Sequence, residues 1–481
     1  MSEIRTRFAP SPTGFMHIGN LRTALYTYLI AKCKELGGNG KFVLRIEDTD
    51  RGRYVEGATE KIYSALKDVG MFWDEGPDVG GPFGPYIQSE RMGMYMEYAK
   101  KLVETGDAYY CFCGKDEDED ENAVGYKKYD GRCSRLPKET VEEYLAQGKP
   151  FVIRQKMPKD GGSTGFHDEI FGDVSVPNDE LEDQIHIKSD GMPTYNFANV
   201  IDDHTMNITH VVRGVEYLSS TPKYNLLYKA FGWKCPVYIH VSPVMRDAQH
   251  KLSKRHGDPT FEDLLNMGYL SEAVLNYVAL LGWSPGGDRE IYSLEELKEV
   301  FSLSGISKSS AIFDIQKLSW LNGEYIKAMT PEKFLETAKP YIDKATGGKL
   351  DASLIAPLLQ TRIQTFNEIE GMIDFLSEMP EFSKELYFNK KMKTDAETSL
   401  PVLEALLLLL EKCDFSHDAL QSMQTEYAAA NGLKNGQVMF PLRIAISGKQ
   451  MTPGGSTEIA EIIGKEETLA RLKKSIAALK A

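Results

Sequence analysis

Near its start the chain carries Arg7-Phe8-Ala9-Pro10-Ser11-Pro12-Thr13-Gly14-Phe15-Met16-His17-Ile18-Gly19-Asn20, and far downstream Lys251-Leu252-Ser253-Lys254-Arg255. Both segments have the makings of a phosphate site. The first falls between an expected strand and an expected helix, where unpaired backbone N–H groups and the helix dipole favour an anion. Gly19 lets the backbone approach a nucleotide closely, and His17 can donate a hydrogen bond to oxygens that gain charge in a transition state. The second places lysines, as mobile point charges, and an arginine beside Ser253 and Gly257, a composition suited to a hinged loop that clamps a leaving pyrophosphate. Each has a plainer reading alone: a helix-capping histidine, an exposed basic loop. Together they point to ATP, with His17, Lys251 and Lys254 as the groups suited to its phosphates.

These residues need a frame. Residues 4–9 read as a strand, 21–34 as a helix, and 41–46 as a second strand after Gly37, Gly38 and Gly40, which is a βαβ crossover of a parallel sheet. Such sheets bind ligands at the carboxyl ends of their strands. Gly and Pro then break the periodicity, and with the acidic run 116–121, a solvated loop, and a short strand at 151–155 they mark an insertion. Strands return at 186–187, 208–213 and 237–241, with a helix at 223–231. Helical patterns follow at 261–267, 270–281, 294–301, 331–339 and 352–378. The expected fold class is α/β: a Rossmann-type parallel sheet in two halves, 1–85 and 191–250, around an insertion at 86–190. A loop and helical segment at 251–330 and an all-α region at 331–481 complete it.

With 481 residues, 42% of them hydrophobic, the chain is too long for one core, and three or more folding units are expected. No apolar run approaches the ~20 residues of a membrane helix, and no leader precedes Phe8, so a cytoplasmic protein is expected. Six cysteines, far apart except for Cys111, Cys113 and Cys133, fit a reducing compartment. The 56 basic against 70 acidic residues give a net charge of −14. That balance ordinarily counts against nucleic-acid binding, yet counterion release requires only a local basic track.

His17 to Asn20 and Lys251 to Arg255 resemble the two ATP-binding motifs of class I aminoacyl-tRNA synthetases, which implies catalytic roles for His17, Lys251 and Lys254 and a nucleotide site completed by Gly19, Asn20, Leu252, Ser253 and Arg255. Longer phrases resemble the glutamyl branch, in its order: residues 7–14, Arg45-Ile46-Glu47-Asp48-Thr49-Asp50, Asp74-Glu75-Gly76-Pro77, Gln88-Ser89-Glu90-Arg91, residues 190–195, Asp202-Asp203-His204, Leu281-Gly282-Trp283, Trp320-Leu321-Asn322 and Met439-Phe440-Pro441-Leu442-Arg443. The resemblance spans essentially the whole chain. Asn20 stands where class I enzymes often carry a second histidine.

The resemblance implies a glutamate–tRNA ligase that forms glutamyl-adenylate from ATP and Mg²⁺, with tRNA already bound, and transfers glutamate to the terminal adenosine of tRNA(Glu). It assigns the glutamate side-chain carboxylate to Arg7 and Arg213 with Tyr195, the ammonium group to Glu47, a further contact to Asn199, and the floor to Ala9 and Ser11. Scaffold ion pairs for the arginines, a pair of Glu47 with Arg45 or Arg51, and a core role for Tyr195 are the competing readings. Cys111, Cys113 and Cys133 resemble a zinc site of some members, but the position of the fourth ligand is Arg135, which cannot ligate. Closure would need Tyr129, an acidic residue or water; the alternative is a pocket of reduced cysteines. The resemblance further gives acceptor-end binding to 86–190, stem contacts to 251–330, anticodon binding to 331–481 with Arg362 and Arg443 as candidates, and a monomer. The rival readings are a form that also charges tRNA(Gln), a glutaminyl enzyme, a shortened relative acting on a modified tRNA base, and a non-catalytic tRNA-binding paralogue.

Overall fold

The computed structural model describes residues 3–49, 52, 55–113, 129–252 and 256–481. The acidic run 116–121, Arg51, and Ser253, Lys254 and Arg255 of the basic loop lie outside the described residues. The chain forms two compact units: Met1–Leu264 with Val274–Asp314, and Leu265–Ala273 with Ile315–Ala481.

The first unit is built on six strands: β1 (Arg5–Phe8), β2 (Lys41–Leu44), then, after β3 (Ala108–Cys111) and β4 (Val152–Gln155), β5 (Ser163–Asp168) and β6 (Gly172–Pro177), and, after β7 (Ile185–Ile187), β8 (His210–Gly214) and β9 (Val237–Val241). The order across the main sheet is β2-β1-β8-β9-β5-β6, parallel throughout except for the antiparallel β5–β6 edge. Helix α1 (Ile18–Lys32) connects β1 to β2. It is buried around most of its circumference, as its run of Leu, Ala, Tyr and Ile residues requires. After α2 (Ala58–Asp68), α3 (Met92–Thr105), α4 (Lys138–Ala146) and α5 (Tyr195–Thr205), helix α6 (Thr221–Ala230) connects β8 to β9. β1 therefore has its sequential partner on one side and a strand some 200 residues later on the other, the strand-order reversal where an open parallel sheet has a crevice.

Strands β3, β4 and β7 form a separate antiparallel sheet, packed against α3, α5 and α6 through Tyr95, Ile153, Ile187, Phe197 and Leu227. The hairpin β5–β6 falls within the stretch read as the insertion, yet it extends the main sheet at its edge. Its alternation of partly buried and exposed residues suits a half-covered antiparallel edge.

The remaining elements are β10 (Val244–Met245), α7 (Phe261–Asn266), α8 (Ser271–Leu280), α9 (Leu294–Val300), β11 (Ala311–Ile312) and, in the second unit, α10 (Ile315–Ala328), α11 (Pro331–Thr346), α12 (Ala352–Leu359), α13 (Glu368–Ser377), α14 (Ala396–Leu410), α15 (His417–Ala430), α16 (Asn435–Ser447) and α17 (Ser456–Lys480). Two expectations need correction there. α11 does not stop before Pro340 but runs through it, held by buried Ala338 and Ile342, so packing outweighs the lost hydrogen bond. The stretch 352–378 is not one helix. Glu368 accepts from the backbone of Gln364 and Thr365, and Asn322 donates to the Gln364 carbonyl at 2.6 Å, so side chains take over the backbone pairing that a continuous helix would supply.

Candidate active site

A cavity of about 710 Å³ opens at the carboxyl ends of β1, β8 and β9. Arg7, Phe8 and Ala9 reach it from β1, Arg213 and Gly214 from β8, Val241 from β9, and His17, Gly19 and Asn20 from the start of α1. Of the residues expected there, Arg7, Ala9, Ser11, His17, Gly19, Asn20, Glu47, Tyr195, Arg213, Lys251 and Leu252 all line it.

One side is ionic and buried. Arg7 Nε donates to Asp203 Oδ1 at 2.9 Å, and one Nη donates to the Val212 carbonyl at 3.2 Å. Asp203 Oδ1 also accepts from Arg45 at 2.8 Å, and Arg45 in turn donates to Glu47 Oε1 at 2.9 Å. Asp202 beside them accepts from Arg91, Gln88 and Tyr95. Burial alone would raise the Asp203 carboxyl, but Arg7 and Arg45 hold it below its ordinary range. Glu47 is pushed up by burial against the pull of Arg45. The Glu47–Arg45 pair anticipated as a competing reading therefore exists, and Glu47 still lines the cavity. The pair positions the carboxylate rather than removing it from the site.

Arg213 is treated differently. Its Nε donates to His240 Nε2 at 3.1 Å and an Nη donates to Thr221 Oγ1 at 2.7 Å, both uncharged acceptors. Tyr217, Tyr224 and Tyr238 surround the guanidinium, with ring centroids 4.7–5.4 Å away. Tyr195, the first residue of α5, leans on Tyr217 at 5.3 Å. Asn199, one turn further along α5, is buried, and its side-chain nitrogen donates to the Tyr195 carbonyl at 2.8 Å. It stands behind Tyr195 and is not a wall residue of the cavity.

The other side is open. His17 caps α1: its Nδ1 accepts from the Gly19 amide at 3.2 Å, so in the neutral ring Nε2 carries the proton, and that atom is buried with no hydrogen-bond partner among the described residues. Burial lowers the pKa of His17, which favours this neutral form. A Cβ built at Gly19 would meet only the His17 ring, at 3.5 Å, so the remaining space there belongs to whatever enters the cavity. Lys251 is exposed, and the backbone at Lys251 and Leu252 is tied to β10. Ser253, Lys254 and Arg255 are outside the described residues.

Arg22, Thr23, Glu216, Tyr217 and Gln88 also line the cavity, and sequence reasoning did not single them out as site residues. For Thr23 a signal existed: it lies one helical turn beyond Asn20, on the same face of α1. Arg22 is buried and donates to the Leu281 and Ser242 carbonyls.

The three cysteines meet elsewhere, at the end of β3. Their sulfurs lie within 4.8 Å of one another, and Cys113 and Cys133 are 3.4 Å apart. Tyr129 Oη stands 3.3 Å from Cys111 Sγ and 3.8 Å from Cys113 Sγ. In the second unit, Arg362 is exposed, whereas Arg443 is half-buried and donates to the Gln450 carbonyl.

Residues 3–320 match the family of class I tRNA synthetases (E and Q), catalytic domain, and 333–476 match an anticodon-binding domain. A glutamate–tRNA ligase of Clostridium botulinum is 56% identical over 486 residues, covering 100% of this chain and 99% of its own. That of Clostridium kluyveri is 54% identical with the same coverage. A crystal structure of a glutamate tRNA ligase from Elizabethkingia meningosepticum in complex with its amino acid superposes with a TM-score of 0.89 at 37% identity, over 99% of this chain and 100% of that one.

Proposed function

The chain belongs to the glutamate–tRNA ligases, class I aminoacyl-tRNA synthetases, and from that premise we propose how its cavity works. Its activity is the ATP-dependent joining of glutamate to tRNA(Glu). The observation that carries the assignment of the site is that a single cavity has two buried guanidiniums on one wall and an open helix start on the other.

In this reading Arg7 and Arg213, with the Tyr195 hydroxyl, receive the side-chain carboxylate of glutamate, for which paired guanidiniums supply charge and planar geometry. Glutamine would leave that charge unmatched. Glu47 receives the ammonium group, and Asn199 acts by fixing Tyr195. The α-carboxylate then attacks the α-phosphorus of ATP in line, forming glutamyl-adenylate and releasing pyrophosphate. His17 Nε2–H and the first amides of α1 face the phosphates, joined by Lys251 and by Lys254, Ser253 and Arg255 of the loop. Mg²⁺ bound together with ATP would offset the charge of the phosphate oxygens. In the second step the 2'-hydroxyl of the terminal adenosine attacks the mixed anhydride, glutamate passes to the ribose, and AMP leaves. Segments 86–190 and 331–481 hold the acceptor end and the anticodon, and exposed Arg362 is the better placed of the two arginines to meet a base. The chain works as a cytoplasmic monomer that activates glutamate only with tRNA bound. Pyrophosphate exchange into ATP should require both glutamate and tRNA. Exchange supported by glutamine but not glutamate would refute this reading, and acylation of purified tRNA(Glu) and tRNA(Gln) decides whether the second is also charged.

The cysteine cluster fits a zinc ion. Tyr129, four residues before Cys133, would supply the fourth donor that Arg135 cannot, and with the three sulfurs would complete a tetrahedral set for zinc. Arg154, whose guanidinium lies 4.1 Å over the Tyr129 ring, would offset the excess negative charge of such a set. Purified chain should contain about one zinc, reduced by C133S, with glutamate-dependent exchange kept. A chain free of zinc after growth with the metal, its three thiols open to a thiol reagent, would show a reduced pocket instead.

A further inference from the structure

Arg213 and His240 are register partners on the parallel strands β8 and β9. His240 Nδ1 lies 2.6 Å from Asp168 Oδ2, and both side chains are fully buried. The same carboxylate oxygen accepts from the His240 amide at 3.0 Å, and the other accepts from the amides of Ile170 and Phe171 at 3.0 and 2.8 Å. Asp168 is thus an acceptor at every contact, as an ionised carboxylate must be. Burial would raise its pKa, but the His240 bond and the amides keep it below the ordinary range.

A consequence follows for the ring. With Asp168 accepting, His240 Nδ1 must be the donor, and in the neutral imidazole Nε2 then has its lone pair free. That lone pair is where Arg213 Nε–H points, at 3.1 Å. Burial lowers the pKa of His240, which favours the neutral ring. Arg213 is anchored by an uncharged acceptor and keeps its full charge for a ligand, unlike Arg7, whose Nε is neutralised by Asp203.

We propose that Asp168 and His240 are positioning residues for glutamate recognition: Asp168, on the β5–β6 edge hairpin, fixes the tautomer of His240, and His240 holds the Arg213 guanidinium toward the substrate carboxylate. The inference rests on the reading of Arg213 as a carboxylate receptor. It makes a hairpin outside the cavity wall a part of amino-acid selection.

The test uses the full chain in tRNA-supported pyrophosphate exchange, with KM for glutamate, KM for ATP, kcat and thermal melting measured for D168N, H240A, H240Q, D168N/H240Q and R213M. D168N keeps the size of the side chain but presents an N–H₂ to His240, which reverses the tautomer and turns an N–H toward Arg213. D168N and H240A should each raise KM for glutamate about 30-fold, the scale of one charge-assisted hydrogen bond, with KM for ATP within about twofold. H240Q can place its carbonyl oxygen near the position of Nε2 and should stay within about threefold of the parent. In that background D168N should add little, because an amide has no tautomer to set. Equal changes in the two KM values, a lowered melting point with KM for glutamate unchanged, or H240Q as impaired as H240A would each overturn the relay. If R213M leaves KM for glutamate unchanged, the reading of Arg213 itself falls, a result distinct from failure of the relay alone.

Discussion

The two sides of the cavity are finished to different degrees before any substrate arrives. On the amino-acid side, Arg7 is bonded to Asp203 and Val212, Arg45 joins Asp203 to Glu47, and Arg213 rests on His240 and Thr221. On the phosphate side, His17 Nε2 has no hydrogen-bond partner among the described residues and Lys251 is exposed. The difference matches the two tasks. Discrimination between glutamate and glutamine depends on a geometry that does not adapt, which buried ion pairs enforce because moving either partner exposes an unmatched charge. Stabilising the charge that develops on phosphate oxygens depends on donors that no other group has already occupied.

The largest expected effect breaks the finished side. Arg7→Met leaves Asp203 with Arg45 alone and removes one of the two guanidiniums proposed to meet the substrate. The kcat/KM for glutamate should fall about a thousandfold, ~4 kcal/mol of transition-state stabilisation, mainly through KM for glutamate. Discrimination against glutamine should shrink with it. If the loss appears in kcat alone, the amino-acid side is not a preformed receptor, and the contrast between the two sides fails.

The same contrast explains what could be read from residues alone. The phosphate side is local in sequence: a strand, a turn and a helix start within residues 5–20 announce themselves by composition and spacing, and His17 lies where they place it. The finished side is assembled across the chain. Arg45 and Asp203 are 158 residues apart, and Asp168 and His240 are 72 apart. No periodicity or short spacing links such pairs, and only strand order brings them together. The phrases around Arg45 and Asp202-Asp203-His204 stood out by resemblance, but their task of holding Arg7 and Glu47 did not. The β5–β6 hairpin was hidden for a related reason, since its segments are polar and half-exposed and join the main sheet only where Asp168 meets Tyr238 of β9. The break between α12 and α13 depends on Asn322, more than 40 residues upstream.

The smaller expected effect concerns the open side and sharpens the comparison. His17→Gln removes the ring N–H proposed to face the phosphates and leaves the buried Arg7–Asp203–Arg45–Glu47 pairs intact, since the ring bonds to the Gly19 amide and feels only the charge of Asp258 among its described neighbours. kcat for pyrophosphate exchange should fall about a hundredfold, the scale of one transition-state donor, while KM for glutamate stays within about twofold. The two substitutions then separate cleanly, one in KM and one in kcat. Stability supplies an independent check. The folded pKa of His17 lies below the ordinary 6.5, chiefly through burial, so as pH falls below about 6.5 the unfolded chain takes up a proton that the folded site resists. His17 therefore destabilises the fold progressively on the acid side and not at neutral pH, and H17Q should flatten that acid limb of the melting curve while leaving the melting point at pH 8 nearly unchanged. A fall in KM-linked binding of glutamate, or an acid limb identical to that of the parent, would mean that His17 is packed scaffold rather than a free donor.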